Sequence, residues 1–191
     1  MNTVRQKQTV KPNYAFVDAQ NLHLGAKEAG LELDYRRFRV YLKEKYRVGK
    51  AYLFIGFMPA NRDLYEDLQE NGFILKFKPV IVPNDGRKPK GDVDADVAFS
   101  IMRYYKEYDK AVIVTSDGDF DTVVKYLNKK DKLAAVISPN RAKCSALLKI
   151  AAKDKMQYLE DLYGKVSRRK AMQGENEKAP PGDETQGSAF S

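Results

Sequence analysis

Residues 111–121 read AVIVTSDGDFD, in which four apolar residues are followed by a polar stretch that contains Asp117, Asp119 and Asp121. The apolar part, rich in valine and isoleucine, predicts a short buried strand. Aspartate often follows a strand because it forms turns and caps helices, but one cap requires only one oxygen acceptor. Three acids at alternate positions therefore favour a functional cluster at the end of this strand.

YAFVDAQN, at residues 14–21, repeats this arrangement near the start of the chain, since an apolar strand pattern ends on Asp18 and Asn21 follows closely. Taken alone, this group is explained as turn and cap residues. In open parallel sheets, however, ligands bind beyond the carboxyl ends of the strands. Together, the two groups predict one polar site at a shared edge of the sheet.

KGDVDADVAFSIMRYY is a third acidic segment, and its apolar spacing predicts a helix. Asp94 lies in the same column as Ile101, so its carboxylate is expected to point inward. Asp96 shares a column with Ser100, which we expect to be a solvated stripe or its margin. Asp92 occupies the position of a helix N-cap.

An ionised Asp94 on an apolar helix face is costly unless a cation or strong hydrogen bonds accompany it. One explanation is a buried ion pair with a base such as Lys90. The other is a site shared with Asp18 and Asp117, where a divalent cation offsets the repulsion between carboxylates. All candidate ligands carry oxygen, and the chain has one cysteine and one histidine, so Mg²⁺ or Mn²⁺ is expected rather than zinc. The histidine, His23, is expected to have a helix-surface or packing role rather than to bind the metal.

Short apolar runs alternate with helix-patterned segments, which predicts an α/β protein with a central parallel sheet and helices on both faces. The predicted strands cover residues 14–18, 50–57, 73–78, 111–115 and 133–138. The predicted helices cover residues 35–46, 61–71, 93–108, 120–130 and 141–152. An apolar run at 156–162 fits either an edge strand or a packing segment.

Composition divides the chain into a basic N-terminal arm, 1–13, a globular domain, 14–163, and a tail, 164–191, that we expect to be disordered. Residues 79–90 are rich in turn formers and cations, which predicts a mobile basic loop. The formal net charge of +8 suits a polyanionic partner and equally an ordinary soluble protein. The single cysteine, and the lack of a signal peptide or membrane-spanning run, predict a cytoplasmic protein with no membrane partner.

Several known motifs are excluded. Asp92 stands where a phosphate-binding loop after Gly86 would need its lysine, and the dinucleotide fingerprint is absent after the first strand. Gln20 occupies the position at which an Asp-x-Asp phosphotransferase needs its second acid. One histidine gives no credible Ser-His-Asp arrangement.

FVDAQNL, KGDVDADVA and VTSDGDFDTVV resemble, in order and spacing, the three acidic motifs of NYN domains of the LabA-like group, relatives of PIN nucleases and flap endonucleases. The resemblance spans residues 14–162, and SDGDF is its most specific part. It implies a Rossmann-like, three-layer PIN-like fold with strand order 3-2-1-4-5. It also implies an Mg²⁺ or Mn²⁺ site that hydrolyses phosphodiester bonds, usually in RNA.

Position by position, the resemblance implies an acidic site with supporting residues around it. The implied acids are Asp18, Asp94, Asp117 and Asp119, and the implied supporting residues are Asn21, Asp96 and Ser116. Two departures are visible. Relatives often have an acid where this chain has Ser100, and glycine is common where it has Ala19 and Gln20.

The sequence therefore predicts a metal-dependent ribonuclease in which Asp18, Asp94 and Asp117 hold the metal and Asp119 orients water or a second ion. The basic loop, through Arg87, Lys88 and Lys90, is expected to bind flanking RNA phosphates, although a solvated surface explains these cations equally well. The main alternative is a noncatalytic RNA-binding or protein-docking adaptor with the same fold. A nuclease acting on DNA flaps is a weaker alternative, because the chain is short for the extra helices of such enzymes. A second copy of the chain remains a candidate partner.

Overall fold

The computed structural model describes residues 10–79 and 93–167, which form a six-stranded parallel sheet with helices on both faces. The strands are β1 (Asn13–Asp18), β2 (Val48–Phe57), β3 (Phe73–Pro79), β4 (Ala111–Val114), β5 (Leu133–Ser138) and β6 (Met156–Tyr158). The helices are α1 (Ala19–Glu28), α2 (Tyr35–Tyr46), α3 (Arg62–Glu70), α4 (Asp94–Arg103), α5 (Asp121–Lys129), α6 (Ala146–Ala152) and α7 (Tyr163–Val166). Four short 3₁₀ turns cover Pro59–Asn61, Gly118–Phe120, Lys153–Lys155 and Leu159–Leu162.

The strands lie in the order β3-β2-β1-β4-β5-β6. The predicted α/β class and the order of the first five strands are confirmed, and β6 extends the sheet at one edge. The run at 156–162 is both an edge strand and a packing segment, because Leu159 and Leu162 are buried immediately after β6. The strand order reverses between β1 and β4, where a crevice is expected beyond the carboxyl ends.

The sheet is buried on both faces, so β1 reads as a continuous apolar run. Ala15 and Val17 pack on one face, in a core that includes side chains of α1, α2, α3 and α7. Tyr14 and Phe16 pack on the other face, in a core that includes side chains of α4, α5 and α6. Burying a large apolar side chain contributes about 1.5–3 kcal/mol. The central strand is therefore held firmly, and its last residue, Asp18, is fixed at the crevice.

Four of the described helices differ from the predicted ones, and one of them, α7, lies largely within the predicted tail. The predicted set did not include α1, because its buried face is made mostly of small residues such as Gly25 and Ala26, which give a weak apolar periodicity. Helix α4 ends at Arg103 rather than at residue 108, and turns follow it. Helix α6 begins at Ala146 rather than at residue 141, because Asn140 closes a turn by accepting two backbone N–H groups through its side chain.

The described fold reaches beyond the expected domain boundary at residue 163. Val166 and Ser167 are buried, and Ser167 bridges to Leu33. Arg37 donates hydrogen bonds to the carbonyl oxygens of Ser167 and Gly164. The rest of the predicted tail, 168–191, and the first nine residues of the predicted arm lie outside the described residues. No helix in the described part of the chain has the length and apolar character needed to cross a membrane.

Candidate metal centre

A cleft of about 670 Å³ opens beyond the carboxyl ends of β1, β4 and β5. Its polar lining combines residues from the ends of these strands, from α1 and from the first turn of α4. The lining residues are Asp18, Gln20, Asn21, Leu24, Gly25, Glu28, Val93, Asp94, Ser116, Asp117, Gly118, Asn140, Lys143 and Ser145. The two strand-end clusters predicted from the sequence therefore meet in one cleft, as the edge of a parallel sheet requires.

The turn after β4 places Asp117 and Asp119. The backbone N–H of Asp119 donates to Asp117 Oδ1 at 2.9 Å, and the N–H of Asp117 donates to Thr115 Oγ1 at 3.1 Å. Gly118 lies so close to the segment before α6 that an added Cβ would be 2.5 Å from Ser145 Oγ. Glycine is therefore the residue that this close approach accommodates. These two hydrogen bonds and the close contact at Gly118 therefore restrict the conformation of the turn.

Asp94 comes from the other side of the cleft, as the first residue of α4. Ligand oxygens of Asp94, Asp117 and Asp119 lie within 4.8 Å of one another. Opposite ligands of an octahedral Mg²⁺ are about 4.2 Å apart, since each bond is about 2.1 Å. The three carboxylates thus match the donor type and nearly match the spacing that a hard divalent cation requires.

Asp18 lines the same cleft but does not belong to this group of three. Its side chain is buried, and Asp18 Oδ1 accepts the Asn21 backbone N–H at 3.0 Å, which caps α1. Both the cap and the cleft position suit an aspartate, and a carboxylate can accept more than one hydrogen bond. The predicted ligand set and the geometric group therefore share Asp94 and Asp117 and differ in the third member. A ligand role for Asp18 stays a prediction.

The predicted supporting residues, Asn21 and Ser116, connect the first turn of α1 to the segment that follows β4. The Ser116 backbone N–H donates to Asn21 Oδ1 at 2.8 Å. Ser116 Oγ and Ser138 Oγ are 2.8 Å apart, and Ser138 Oγ donates to the carbonyl oxygen of Asn140 at 2.9 Å. Because Ser138 uses its proton there, Ser116 donates to Ser138. The ends of β4 and β5 are thereby held together beneath the acids.

Asp96 is turned away from the acidic group. Its carboxylate pairs with Lys78 of β3 at 2.6 Å, on the opposite side of the first turn of α4. Of the two expectations for this column, a solvated stripe or its margin, the structure fits the margin, since Ser100 is buried, beside Phe54 of the sheet, and Arg103 is exposed.

Asp121, the third acid of the DGDFD segment, also lies outside the group. Hydrogen bonds from the Lys125 ammonium and the Thr122 hydroxyl hold the pKa of Asp121 below its usual range. Asp121 therefore serves as an ion-pair partner in the first turn of α5. His23 is exposed on α1 and lines a separate depression, as expected for a helix-surface residue.

Sequence reasoning missed the basic side of the cleft. Lys143 Nζ, in the loop after β5, pairs with Glu28 Oε1 of α1 at 2.7 Å. Helix α1 packs closely against Pro139 beside this ion pair. Gly25 permits that contact, because a Cβ added at Gly25 would lie only 2.6 Å from Pro139 Cβ. The sequence holds only a partial signal: the turn formers of PNRAK, directly after β5, place Lys143 at the same edge of the sheet but do not indicate its pairing with Glu28.

The predicted RNA-binding residues Arg87, Lys88 and Lys90 lie outside the described residues, as does Asp92. Cys144 is a free thiol and is buried, beside the loop that carries Lys143.

Known proteins share this fold and sequence pattern. The family model of the NYN domain matches residues 14–160. The crystal structure of a protein of unknown function from Vibrio parahaemolyticus has a TM-score of 0.67 and 24% sequence identity, over 83% of this chain and 99% of that chain. This likeness shows the fold alone, and no curated protein matches the chain. The NYN match covers most of the chain and implies a PIN-like nuclease fold, in which the acidic group of Asp94, Asp117 and Asp119 is present. The chain therefore belongs to the NYN domain family.

Proposed function

We propose that this protein is a ribonuclease of the LabA-like NYN group that hydrolyses phosphodiester bonds with Mg²⁺ or Mn²⁺. The observation that carries the proposal is the group of three carboxylates within 4.8 Å, at the open edge of a nuclease-like fold. Two like charges about 4 Å apart repel by about 1 kcal/mol in bulk water and about 4 kcal/mol near a protein surface. A bound cation would turn this repulsion into attraction.

The donor chemistry favours a hard cation. The three side chains offer carboxylate oxygens alone, and His23 and Cys144 lie outside the cleft lining. When bound, the divalent ion supplies positive charge at the scissile phosphate and makes an attacking water more acidic. The chain's own part is to hold the carboxylates in place and to orient the water and the phosphate.

Each acid has a distinct part in this proposal. Asp94 and Asp117 would hold the cation, and Asp18, which lines the same cleft, would add a further ligand. Asp119, which is exposed, orients the attacking water or a second ion. Asn21 and Ser116 act as positioning residues, because their hydrogen bond connects the start of α1, next to Asp18, to the segment that carries Asp117.

Lys143 is the cation that we assign to the substrate phosphate. Its side chain lines the cleft and is 62% exposed, and its partner Glu28 is also solvent-accessible. Exposed ion pairs contribute only about 0–1 kcal/mol, so a phosphate oxygen can displace Glu28 at little cost. The preference for RNA over DNA rests on the resemblance of the acidic motifs to those of the LabA-like group.

An adaptor function has one specific observation in its favour. Asp18 and Asp117 each accept a backbone N–H that starts a helical turn, so both have a structural role without any metal. These caps explain two of the four acids. They do not explain why Asp94 and Asp119 converge on the same point.

The deciding experiment is cleavage of end-labelled single-stranded RNA, structured RNA and single-stranded DNA, each with Mg²⁺, Mn²⁺ or EDTA. We expect cleavage of RNA with either ion and none in EDTA. The Asp117→Asn variant, purified in parallel, excludes contaminating nuclease. RNA binding without cleavage in either ion would reject the nuclease and favour the adaptor, and faster cleavage of DNA would reject the assigned substrate.

A further inference from the structure

A second groove, of about 240 Å³, runs between β3 and α4 on the other side of the first turn of α4. Val93 lines both this groove and the acidic cleft, so the two are adjacent. The residues that line it are Phe54, Lys76, Phe77, Lys78, Val93, Asp96, Phe99, Ser100, Arg103 and Tyr104. We call this feature the β3–α4 groove.

The charge of the β3–α4 groove is opposite to that of the cleft. Three cations, Lys76, Lys78 and Arg103, face a single carboxylate, Asp96, which pairs with Lys78 at 2.6 Å. Two positive charges therefore remain without a carboxylate among the lining residues. Such a surface beside an acidic catalytic cleft is suited to a polyanion that extends out of the cleft.

Aromatic rings accompany these cations. Phe99 is 65% exposed, more than any other aromatic residue in the described ranges. Tyr104 stacks on Tyr52 with ring centroids 4.8 Å apart, and Arg103 lies 5.7 Å from the centre of the Tyr104 ring. Lys76 lies 5.4 Å from the Tyr52 ring centre. Tyr52 is buried and Tyr104 partly buried, so the exposed rings of the groove are Phe99 and Phe77. Exposed rings beside cations are the usual elements of a surface that binds single strands, where bases stack on rings and cations contact phosphates.

We propose that the β3–α4 groove binds the single-stranded segment of RNA that flanks the phosphate in the cleft. Phe99 stacks on a base, and Lys76 and Arg103 contact phosphates. The RNA strand passes Val93 on its way from the groove to the cleft. This inference rests on the proposed function, because the groove is assigned to RNA on the ground that it adjoins the proposed catalytic cleft.

A second copy of the chain is the other candidate occupant, because Phe99 and Phe77 expose apolar surface here. A two-fold interface would bring the same patch of each copy together. The three cations of one copy would then face the three cations of the other, with only one carboxylate on each side. Charge therefore favours RNA over self-association.

The test measures binding separately from cleavage. Full-length Asp117→Asn protein in EDTA is titrated into a labelled single-stranded RNA of about twelve nucleotides, and affinity is followed by fluorescence anisotropy over a range of salt concentrations. Two groove variants are added to this parent, Phe99→Ala and the double variant Lys76→Gln with Arg103→Gln. Matched controls on α7 and α3 are Tyr163→Ala and the double variant Arg62→Gln with Lys165→Gln.

We expect Phe99→Ala to weaken binding about tenfold at every salt concentration, because base stacking is insensitive to salt. The double cation variant should weaken binding and flatten the log-log salt dependence by about 1.4, since each lost phosphate contact contributes about 0.7. Both controls should bind like the parent. Thermal melting of each variant verifies the fold, and these side chains are exposed enough to be replaced without loss of core packing.

Two results would overturn the inference. One is groove variants that bind RNA like their matched controls. The other is a parent that forms dimers by sedimentation, with Phe99→Ala abolishing the dimer and leaving RNA affinity unchanged. Because no metal or cleavage enters these measurements, failure of the nuclease activity would leave them interpretable, and failure of the groove would leave the cleavage assay untouched.

Discussion

Asn21 Oδ1 accepts the backbone N–H of Ser116 at 2.8 Å, which joins the first turn of α1 to the segment that follows β4. Asp18 is the last residue of β1, directly before α1, and Asp117 follows β4, the neighbouring strand. The hydrogen bond therefore sets the relative position of two acids that are 99 residues apart in sequence. A side-chain amide, which is uncharged, does this without adding a further negative charge to an acidic cleft.

Asn21→Ala is expected to lower both stability and activity. It leaves the part-buried Ser116 N–H without its acceptor, which costs about 1–3 kcal/mol. In a protein of this size, each kcal/mol corresponds to about 2–4 °C in melting temperature. Asn21→Asp keeps an acceptor oxygen but adds a negative charge to the cleft, so it separates loss of the hydrogen bond, in Asn21→Ala, from a change in charge. A melting temperature and kcat unchanged in Asn21→Ala would show that the two segments are held by other contacts.

Asp94→Asn and Asp117→Asn should each reduce kcat by more than about 100-fold, while Asp96→Asn costs less than about tenfold. The physical reason is position, because Asp94 and Asp117 converge with Asp119, whereas Asp96 pairs with Lys78. Replacing residues outside the ligand shell commonly costs about 10–100-fold, so a direct ligand should exceed this range. Steady-state cleavage of labelled RNA measures the three variants. Equal, severe losses in Asp94→Asn and Asp96→Asn would contradict the separation of these two side chains.

Millimolar Mg²⁺ or Mn²⁺ should raise the melting temperature of the wild-type protein. Binding at a hundred times the dissociation constant stabilises the folded state by about 2.7 kcal/mol, or about 5–10 °C here. The shift should be lost in Asp117→Asn, which keeps the size of the side chain but removes its charge. Differential scanning fluorimetry with and without EDTA gives the comparison. A wild-type protein indifferent to both ions would exclude the metal centre.

Asp18→Asn distinguishes a ligand from a helix cap. Asparagine caps helices about as well as aspartate, so the folded state should remain intact in the absence of metal. If Asp18 is a ligand, the Mg²⁺-dependent rise in melting temperature should shrink strongly in this variant. A full shift in Asp18→Asn, together with its loss in Asp94→Asn, would restrict the centre to Asp94, Asp117 and Asp119.

The local sequence pattern was sufficient to predict that Asp18 and Asp117 lie at the same edge of the sheet. Asp18 and Asp117 follow apolar runs whose strand character is evident from sequence, and parallel strands must bring their carboxyl ends to one edge. Helical phase separated Asp94 from Asp96. Helical phase alone did not decide whether Ser100 is solvated or at the margin of the solvated face, because its burial depends on how α4 lies against the sheet, which is a tertiary property.

The basic half of the site could not be derived in this way. Glu28 stands at the end of α1, a helix whose small buried residues give little periodicity, and Lys143 lies in a loop without regular structure. Their contact requires α1 to approach Pro139 closely, which Gly25 permits. Glu28 and Lys143 are 115 positions apart in the sequence, and no local spacing pattern predicts that they form an ion pair.

Glu28→Gln and Lys143→Gln should change RNA affinity in opposite directions. If Lys143 binds a substrate phosphate, Glu28 competes for the same ammonium, so removing the Glu28 charge should tighten binding. Lys143→Gln should weaken binding and flatten its log-log salt dependence by about 0.7. Stability should change little in either variant, because an exposed ion pair contributes about 0–1 kcal/mol. Anisotropy titrations against salt measure both effects, with Arg62→Gln as a control cation on α3. Equal weakening by both variants would mean that the pair only fixes the loop against α1, and that the phosphate is held elsewhere.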